Sequence, residues 1–503
     1  MTARTLMIQG SSSSAGKSLL VAALCRIFVR RGVRVAPFKA QNMSNNAAVC
    51  ADGSEIGRAQ ALQAAAARLE PAADMNPVLI KPEADSRSQV ILMGRPWKTL
   101  EARTYYEKKA ILWQQVTASL DRLRAAHELI VIEGAGSPAE LNLRAGYIVN
   151  MAVAHYAHSP VLLVGDIDCG GIFAQLLGTL WLLEPEERTL VRGFVVNRFR
   201  GDLSLFRDGV QILEQKAGIP VLGVIPYIRE LYLPDEDAVS VEVAVHAARP
   251  APASQMDIAI LALPRIANFD DFDSLRAEPG VHIRHIESAD QLGKPHAVIL
   301  PGTKSTMADL DWLHHTGLVE AVKRFAQDGG EVVGICGGYQ MLGQAIHDPQ
   351  HVESRKDLAE GLGLLPVVTT FGAQKATYRI RARTLPSSPA PSPPGEGGLE
   401  IEGYEIHMGE TKSQTPWVEI THRNGTPVKI LDGSVSSTGR VWGCYLHGLF
   451  HNDSFRHAWL GRLGWQGVSV SQSSRFEESL ERLADVVEGT LNMDLLERIV
   501  WEN

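Results

Sequence analysis

A cysteine set among glycines, Gly334-Ile335-Cys336-Gly337-Gly338, follows the apolar pair Val332-Val333 and precedes a helix-forming run, Tyr339-Gln340-Met341-Leu342. A Gly-x-Cys-x-Gly between a strand and a helix is the thiol counterpart of the nucleophile elbow. The flanking glycines permit a tight turn that lifts the apical side chain out of the sheet. The next backbone N–H and the helix N-terminus then face a developing oxyanion and favour the thiolate. That is acyl-transfer chemistry. It needs oxyanion donors and a base. Gly337 N–H is the first expected donor. Gly302, in Pro301-Gly302-Thr303-Lys304-Ser305 at a strand end, is the second. The expected base is His447, in Gly443-Cys444-Tyr445-Leu446-His447-Gly448, with His407 as its main rival among 16 histidines.

A second reaction centre opens the chain. Gly10-Ser11-Ser12-Ser13-Ser14-Ala15-Gly16-Lys17-Ser18 lies between an apolar strand and a helical run. Backbone N–H groups of such a loop wrap phosphate oxygens, the helix N-terminus adds a favourable dipole, Lys17 reaches the outer phosphates and the Ser18 hydroxyl can ligate Mg²⁺. Gly10, Ser14, Gly16, Lys17 and Ser18 are therefore the expected nucleotide contacts. The loop is one residue longer than the usual pattern. Glu133 and Asp166 follow apolar strands, where ligands of open α/β sheets bind, and either carboxylate could join Ser18 on Mg²⁺. Lys39, Asn42 and Asn45, just after the second strand, are expected to contact phosphate or substrate.

The elements that must position these groups alternate. Strands are expected at 6–9, 33–38, 129–132, 161–164, 194–196 and 221–225, with a helix from Ser18 to Arg31 stopping at Gly32. Near-continuous apolar strands separated by helices imply a parallel sheet covered on both faces. A Pro/Ala/Ser-rich stretch, His246–Ser254, reads as a linker. A second α/β pattern follows at 258–263, 281–286, 297–300 and 332–335, becoming β-rich around 365–445. Pro386–Gly398 reads as an exposed loop and Ser479–Val500 as one amphipathic helix. The expected division is 1–245, a linker at 246–256, 257–460, and a helical extension at 461–503.

The 503 residues allow two to four domains. A net charge of −8 without a basic run argues against nucleic acid or an anionic membrane as partner. No apolar stretch reaches the roughly 18–20 residues that span a bilayer, and no signal peptide is expected, since Met1–Gly10 runs straight into a strand and the phosphate loop. Five scattered cysteines with no CxxC fit a reduced, cytoplasmic setting without structural zinc.

With these residues assembled, the chain resembles the cobyric acid synthase family. The resemblance rests on Phe38–Asn46, Glu55–Ala61, Met75–Pro82, Asn197–Asp202, Leu233–Asp237, Pro264–Phe269 and Pro301–Ser305. The first half is also similar to the dethiobiotin synthetases, which share the longer phosphate loop, and the second half to the triad-type class I glutaminases. The implied fold is α/β: a P-loop NTPase-like parallel-sheet domain followed by a flavodoxin-like glutaminase domain. The implied reaction amidates four peripheral carboxylates of adenosylcobyrinic acid a,c-diamide, a corrinoid, consuming one L-glutamine and one ATP for each. The family's nucleophile maps onto Cys336 and its histidine onto His447. Most triad glutaminases carry Glu two residues beyond that histidine; here Leu449 stands there, as the resemblance implies. A backbone carbonyl or a remote carboxylate must orient the ring. Cys169 stands where the family pattern has Arg. Cobyrinic acid a,c-diamide synthase shares both modules, CTP synthase is disfavoured by Leu449, and a partitioning-type ATPase gives the thiol elbow no role.

Overall fold

The computed structural model describes residues 2–84, 87–143, 147–234, 255–389, 398–468 and 470–502. The expected linker thus lies, up to residue 254, outside the described residues, as does 390–397 of the Pro-rich loop.

The first half is built on a six-stranded parallel sheet: β1 (Arg4–Gly10), β2 (Val35–Phe38), β3 (Leu129–Glu133), β4 (Val161–Asp166), β5 (Val191–Phe199) and β6 (Val221–Pro226), in the order β6-β5-β4-β1-β3-β2. Every residue of β3 and β4 is buried, as apolar strands covered on both faces must be. Helix α1 (Lys17–Arg30) leaves the carboxyl end of β1. Register pairs Ile8 with Glu133 and Gly10 with Val164. The phosphate loop, Glu133 and Asp166 therefore share one sheet edge.

The second half repeats the plan with β7 (Met256–Leu261), β8 (Val281–Ile286), β9 (Ala297–Leu300), β10 (Glu331–Ile335), β11 (Ser434–Val435) and β12 (Val441–Cys444). Their order is β8-β7-β9-β10-β12-β11, parallel except for β11. Helix α2 (Gly337–Leu342) follows β10 directly. The β-rich stretch forms a separate sheet in which the long strands Val368–Thr384 and Glu400–Lys412 pair antiparallel.

Two features depart from the sequence reading. Residues 41–101 build a four-stranded sheet (Gln41–Met43, Val78–Ala84, Arg87–Leu92, Arg95–Glu101) that reaches toward the second half. The expected single C-terminal helix is two, α3 (Gln472–Thr490) and α4 (Met493–Trp501). Leu491 is extended at ψ 146°, Asn492 N–H donates to Leu222 O at 2.8 Å, and the Asn492 side chain accepts from Leu495 N–H at 3.0 Å. A strand-edge hydrogen bond and an N-cap thus break the run. Both helices fold back onto α1: Leu480, Leu483, Val487 and Leu496 join the core beneath Leu20, Leu24 and Ile27. Each fully buried leucine contributes about 1.5–3 kcal/mol relative to exposure.

Candidate active site

The thiol turn is as strained as its sequence implies. Cys336 sits at φ 52°, ψ −109°, a conformation L-residues avoid. A Cβ on Gly338 would lie 2.0 Å from Leu300 O, so only glycine lets α2 pack on β9. Gly302 also lies close against the imidazole, where a Cβ would be 2.8 Å from His447 Cε1. Cys336 and His447 line one pocket, and a Cβ at Gly337 would touch the Thr303 backbone N at 3.2 Å. The loop after β9 and the start of α2 therefore face each other across the sulfur, bringing together the four residues expected there. Cys336 Sγ is also 3.6 Å from Ile406 O.

The group that orients His447 is Asp271, which sequence reasoning did not find. His447 Nδ1–H donates to Asp271 Oδ2 at 2.7 Å, and Gly448 N–H donates to Asp271 Oδ1 at 2.8 Å. Asp271 sits in the short helical turn Phe269–Phe272 after β7, and both side chains are buried. Burial opposes charge on the imidazole, but Asp271 and the Cys336 sulfur outweigh it and lift it to about 10. Burial likewise penalises the Asp271 carboxylate, yet His447 and the Gly448 N–H hold it below its ordinary value. The signal was present as Phe269-Asp270-Asp271-Phe272, which reads as a solvated acidic turn until the fold seats it beneath the histidine. His407, the rival base, stacks on Tyr445 at 3.7 Å between ring centroids, and its Nδ1 lies 3.0 Å from Gly409 O.

Asn268 carries the site across to the first half. Its Oδ1 accepts from Ala47 N–H at 3.0 Å, which fixes the amide orientation, and its Nδ2 then faces His447 Nε2 at 3.3 Å. A donor there favours the neutral ring, against Asp271; the charge-assisted contact is the stronger. Phe269 N–H donates to Asn46 Oδ1 at 3.3 Å, and Arg58 Nε pairs with Asp270 at 3.0 Å. Arg58 also bonds the Tyr404 hydroxyl, and Tyr404 stacks on His447 at 5.2 Å. The His447 imidazole is thus bracketed by residues that the first half holds in place.

At the phosphate loop, Lys17 Nζ donates to Ser12 O at 2.8 Å and Ser13 O at 2.9 Å, folded back over the loop. Ser18 Oγ–H donates to Glu133 Oε1 at 2.9 Å, and Lys39 Nζ lies 2.9 Å from the same oxygen. Gln63 and Gln60 donate to the other oxygen of Glu133, and Asn42 Nδ2 donates to Gln60 at 2.9 Å. Lys39, Asn42, Ser18 and Glu133 therefore form one buried polar network. Asn45 lies outside it with Oδ1 unpartnered. Asp166 turns elsewhere: Arg198 pairs with it at 2.8 Å and Asp168 N–H donates to it at 2.9 Å. Cys169 is exposed, 3.5 Å from Asp166, and Arg198 supplies the cation at that carboxylate. Hard oxygen donors on Ser18 and Glu133, beside a lysine and a helix N-terminus, fit Mg²⁺ and a polyphosphate.

Residues 6–240 match the domain family described as the CobQ/CobB/MinD/ParA nucleotide binding domain, and residues 257–455 match the CobB/CobQ-like glutamine amidotransferase domain. The chain thus joins a nucleotide-binding α/β domain to a glutamine amidotransferase domain. The relative named cobyric acid synthase in Chloroflexus aurantiacus is 54% identical over 505 residues, covering 99% of this chain and 100% of its own. The cobyric acid synthase of Roseiflexus castenholzii is 56% identical, covering 92% of this chain and 93% of its own, and that of Sorangium cellulosum is 52% identical over 99% of both. The chain belongs to the cobyric acid synthase family. No helix among the described residues is long and apolar enough to cross a membrane.

Proposed function

We propose that the protein acts in the cytoplasm on adenosylcobyrinic acid a,c-diamide, converting four peripheral carboxylates to amides with L-glutamine as nitrogen donor and ATP as activator. The observation that carries this reading is the juncture at Asn268. One side chain touches the catalytic imidazole and the backbone that follows the phosphate-site residues Lys39 and Asn42.

In the second domain, the Cys336 thiolate attacks the glutamine side-chain amide carbon. Gly337 and Gly302 stabilise the oxyanion through their N–H groups. His447, held in one tautomer by Asp271, protonates departing ammonia and then takes a proton from the water that hydrolyses the thioester, releasing glutamate. In the first domain, a substrate carboxylate attacks the γ-phosphorus of ATP, giving an acyl phosphate and ADP. Lys17 neutralises charge gathering on the transferred phosphoryl group, and Gly10, Ser14 and Gly16 cradle the phosphates. Ser18 and Glu133 would hold Mg²⁺, which supplies further charge neutralisation when bound; Asp166 becomes a third ligand if it releases Arg198. Ammonia then displaces phosphate from the acyl phosphate. The buried seam between the halves supports a water-poor path for it.

Purified protein given the diamide, L-glutamine and ATP should yield the fully amidated corrinoid, read by mass. Amidation of only the earlier precursor that lacks the a,c amides would favour the diamide synthase reading instead.

A further inference from the structure

The pocket that holds Cys336 extends beyond the reacting sulfur into a wall of charged groups from both halves. Lys81, Glu83 and Gln89 come from the sheet of residues 41–101, and Lys304, Glu353 and Lys375 from the second domain. Their pairing is uneven. Glu55 is fully buried and bound by two lysines, Lys81 at 2.5 Å and Lys375 at 2.5 Å, leaving one surplus cation. Lys304 is matched by Glu83 at 2.8 Å. Glu353 accepts Met307 N–H at 2.7 Å and a bond from Thr306, but no cation among the described residues lies within ion-pair range of it. The wall therefore carries one unmatched positive and one unmatched negative position.

We propose that this wall recognises the α-amino-acid end of L-glutamine, with Glu353 receiving the α-ammonium and Lys375, backed by Lys81 across the domain seam, receiving the α-carboxylate. This rests on glutamine hydrolysis at Cys336. Thr306 links Glu353 to the reacting end: its hydroxyl lies between the Glu353 carboxylate and Gln340 Oε1, 3.2 Å from the latter, with one proton to give to either, and Gln340 is one turn of α2 beyond Cys336. Gln89 Oε1, unpartnered on the same wall, is a second acceptor for the ammonium. The electrostatics agree with the geometry. Burial pushes the Glu353 carboxyl up to about 7, and burial, with Lys81 and Lys304 against the pull of Glu55, pushes Lys375 down to about 8. Glu353 has no ion-pair partner among the described residues and Lys375 shares Glu55 with Lys81, so a zwitterion would balance both. Lys81 and Gln89 belong to the first half. The donor pocket is complete only when the two halves are seated together.

The test is glutaminase kinetics with three compounds: L-glutamine, glutaramate (which lacks the ammonium) and 4-aminobutanamide (which lacks the carboxylate). Wild-type protein should hold either analogue at least tenfold more weakly than L-glutamine. Glu353→Gln should raise KM for L-glutamine about ten- to a hundredfold with a much smaller change in kcat. The penalty should vanish with glutaramate and be partly restored in Glu353→Asp. Lys375→Met should show the converse pattern, its penalty vanishing with 4-aminobutanamide. Equal binding of an analogue and L-glutamine by the wild type would overturn the assignment without any variant. So would a Glu353→Gln penalty of the same size on all three compounds. Absence of glutamine hydrolysis by the wild type would instead strike the underlying function.

Discussion

His447 Nδ1 lies 2.7 Å from Asp271 Oδ2, although 176 residues separate the two in sequence. The pair supplies the orienting carboxylate that Leu449 cannot, and it comes from the turn after the first strand of the domain rather than from beside the histidine. A third triad member can enter from either direction along the chain, because only its geometry at Nδ1 matters.

Replacing Asp271 by Asn keeps the shape of the contact and removes the charge. Glutamine hydrolysis should fall on the order of 10²–10⁴-fold in kcat, with the imidazole dropping from about 10 toward its ordinary value. ATP-dependent amidation fed with ammonium salt should survive. An unchanged kcat for glutamine would remove Asp271 from the catalytic apparatus.

Asn268→Ala removes the side chain shared by Ala47 N–H and the imidazole. A lost hydrogen bond of about 1 kcal/mol leaves glutaminase within roughly tenfold of wild type. The expected signature is uncoupling: glutamate formed per ADP rises above one. A ratio that stays at one would show that the contact is not needed to link the centres.

Much of this was legible beforehand. The phosphate loop, the thiol elbow and both parallel sheets announce themselves because their residues are adjacent in sequence and their strands are buried on both faces. Asp271, Asn268 and the Glu55 cluster were not legible, because their significance arises only where distant segments meet. Pro264–Phe269 and Glu55–Ala61 carry part of the family resemblance, yet nothing local says that Asn268 reaches His447, or that Glu55 lies between Lys81 and Lys375. The break at Asn492 was readable in principle from a capping residue after Leu491, but the amphipathic period continues through it and dominated.

Glu55 is the clearest stability test. Burial opposes its charge, but Lys375 and Lys81 outweigh burial and hold it near 2 against an ordinary 4.5. Its contribution is therefore complete above about pH 4.5 and is lost as pH falls through about 2. Glu55→Gln leaves two buried lysines unpaired, at a cost of about 3–5 kcal/mol. The thermal midpoint should drop clearly at pH 7 and pH 5, and the gap from wild type should narrow toward pH 3. Equal midpoints at pH 7 would contradict the ion cluster.

Lys17 separates the two chemistries from the other side. Lys17→Met should reduce ATP-dependent amidation at least about a hundredfold with either glutamine or ammonium, since charge on the transferred phosphoryl group goes unneutralised. Glutamine hydrolysis should continue. Full amidation by this variant would refute the phosphate-loop assignment.

The most direct measurement is made on Cys336→Ala, with the diamide, ATP and either L-glutamine or ammonium salt, following glutamate release and corrinoid mass together. Two cooperating centres predict that glutamine hydrolysis falls to background while ammonium still drives the carboxylates to amides. Continued glutamate release, or loss of amidation with ammonium as well as with glutamine, would contradict that division of labour.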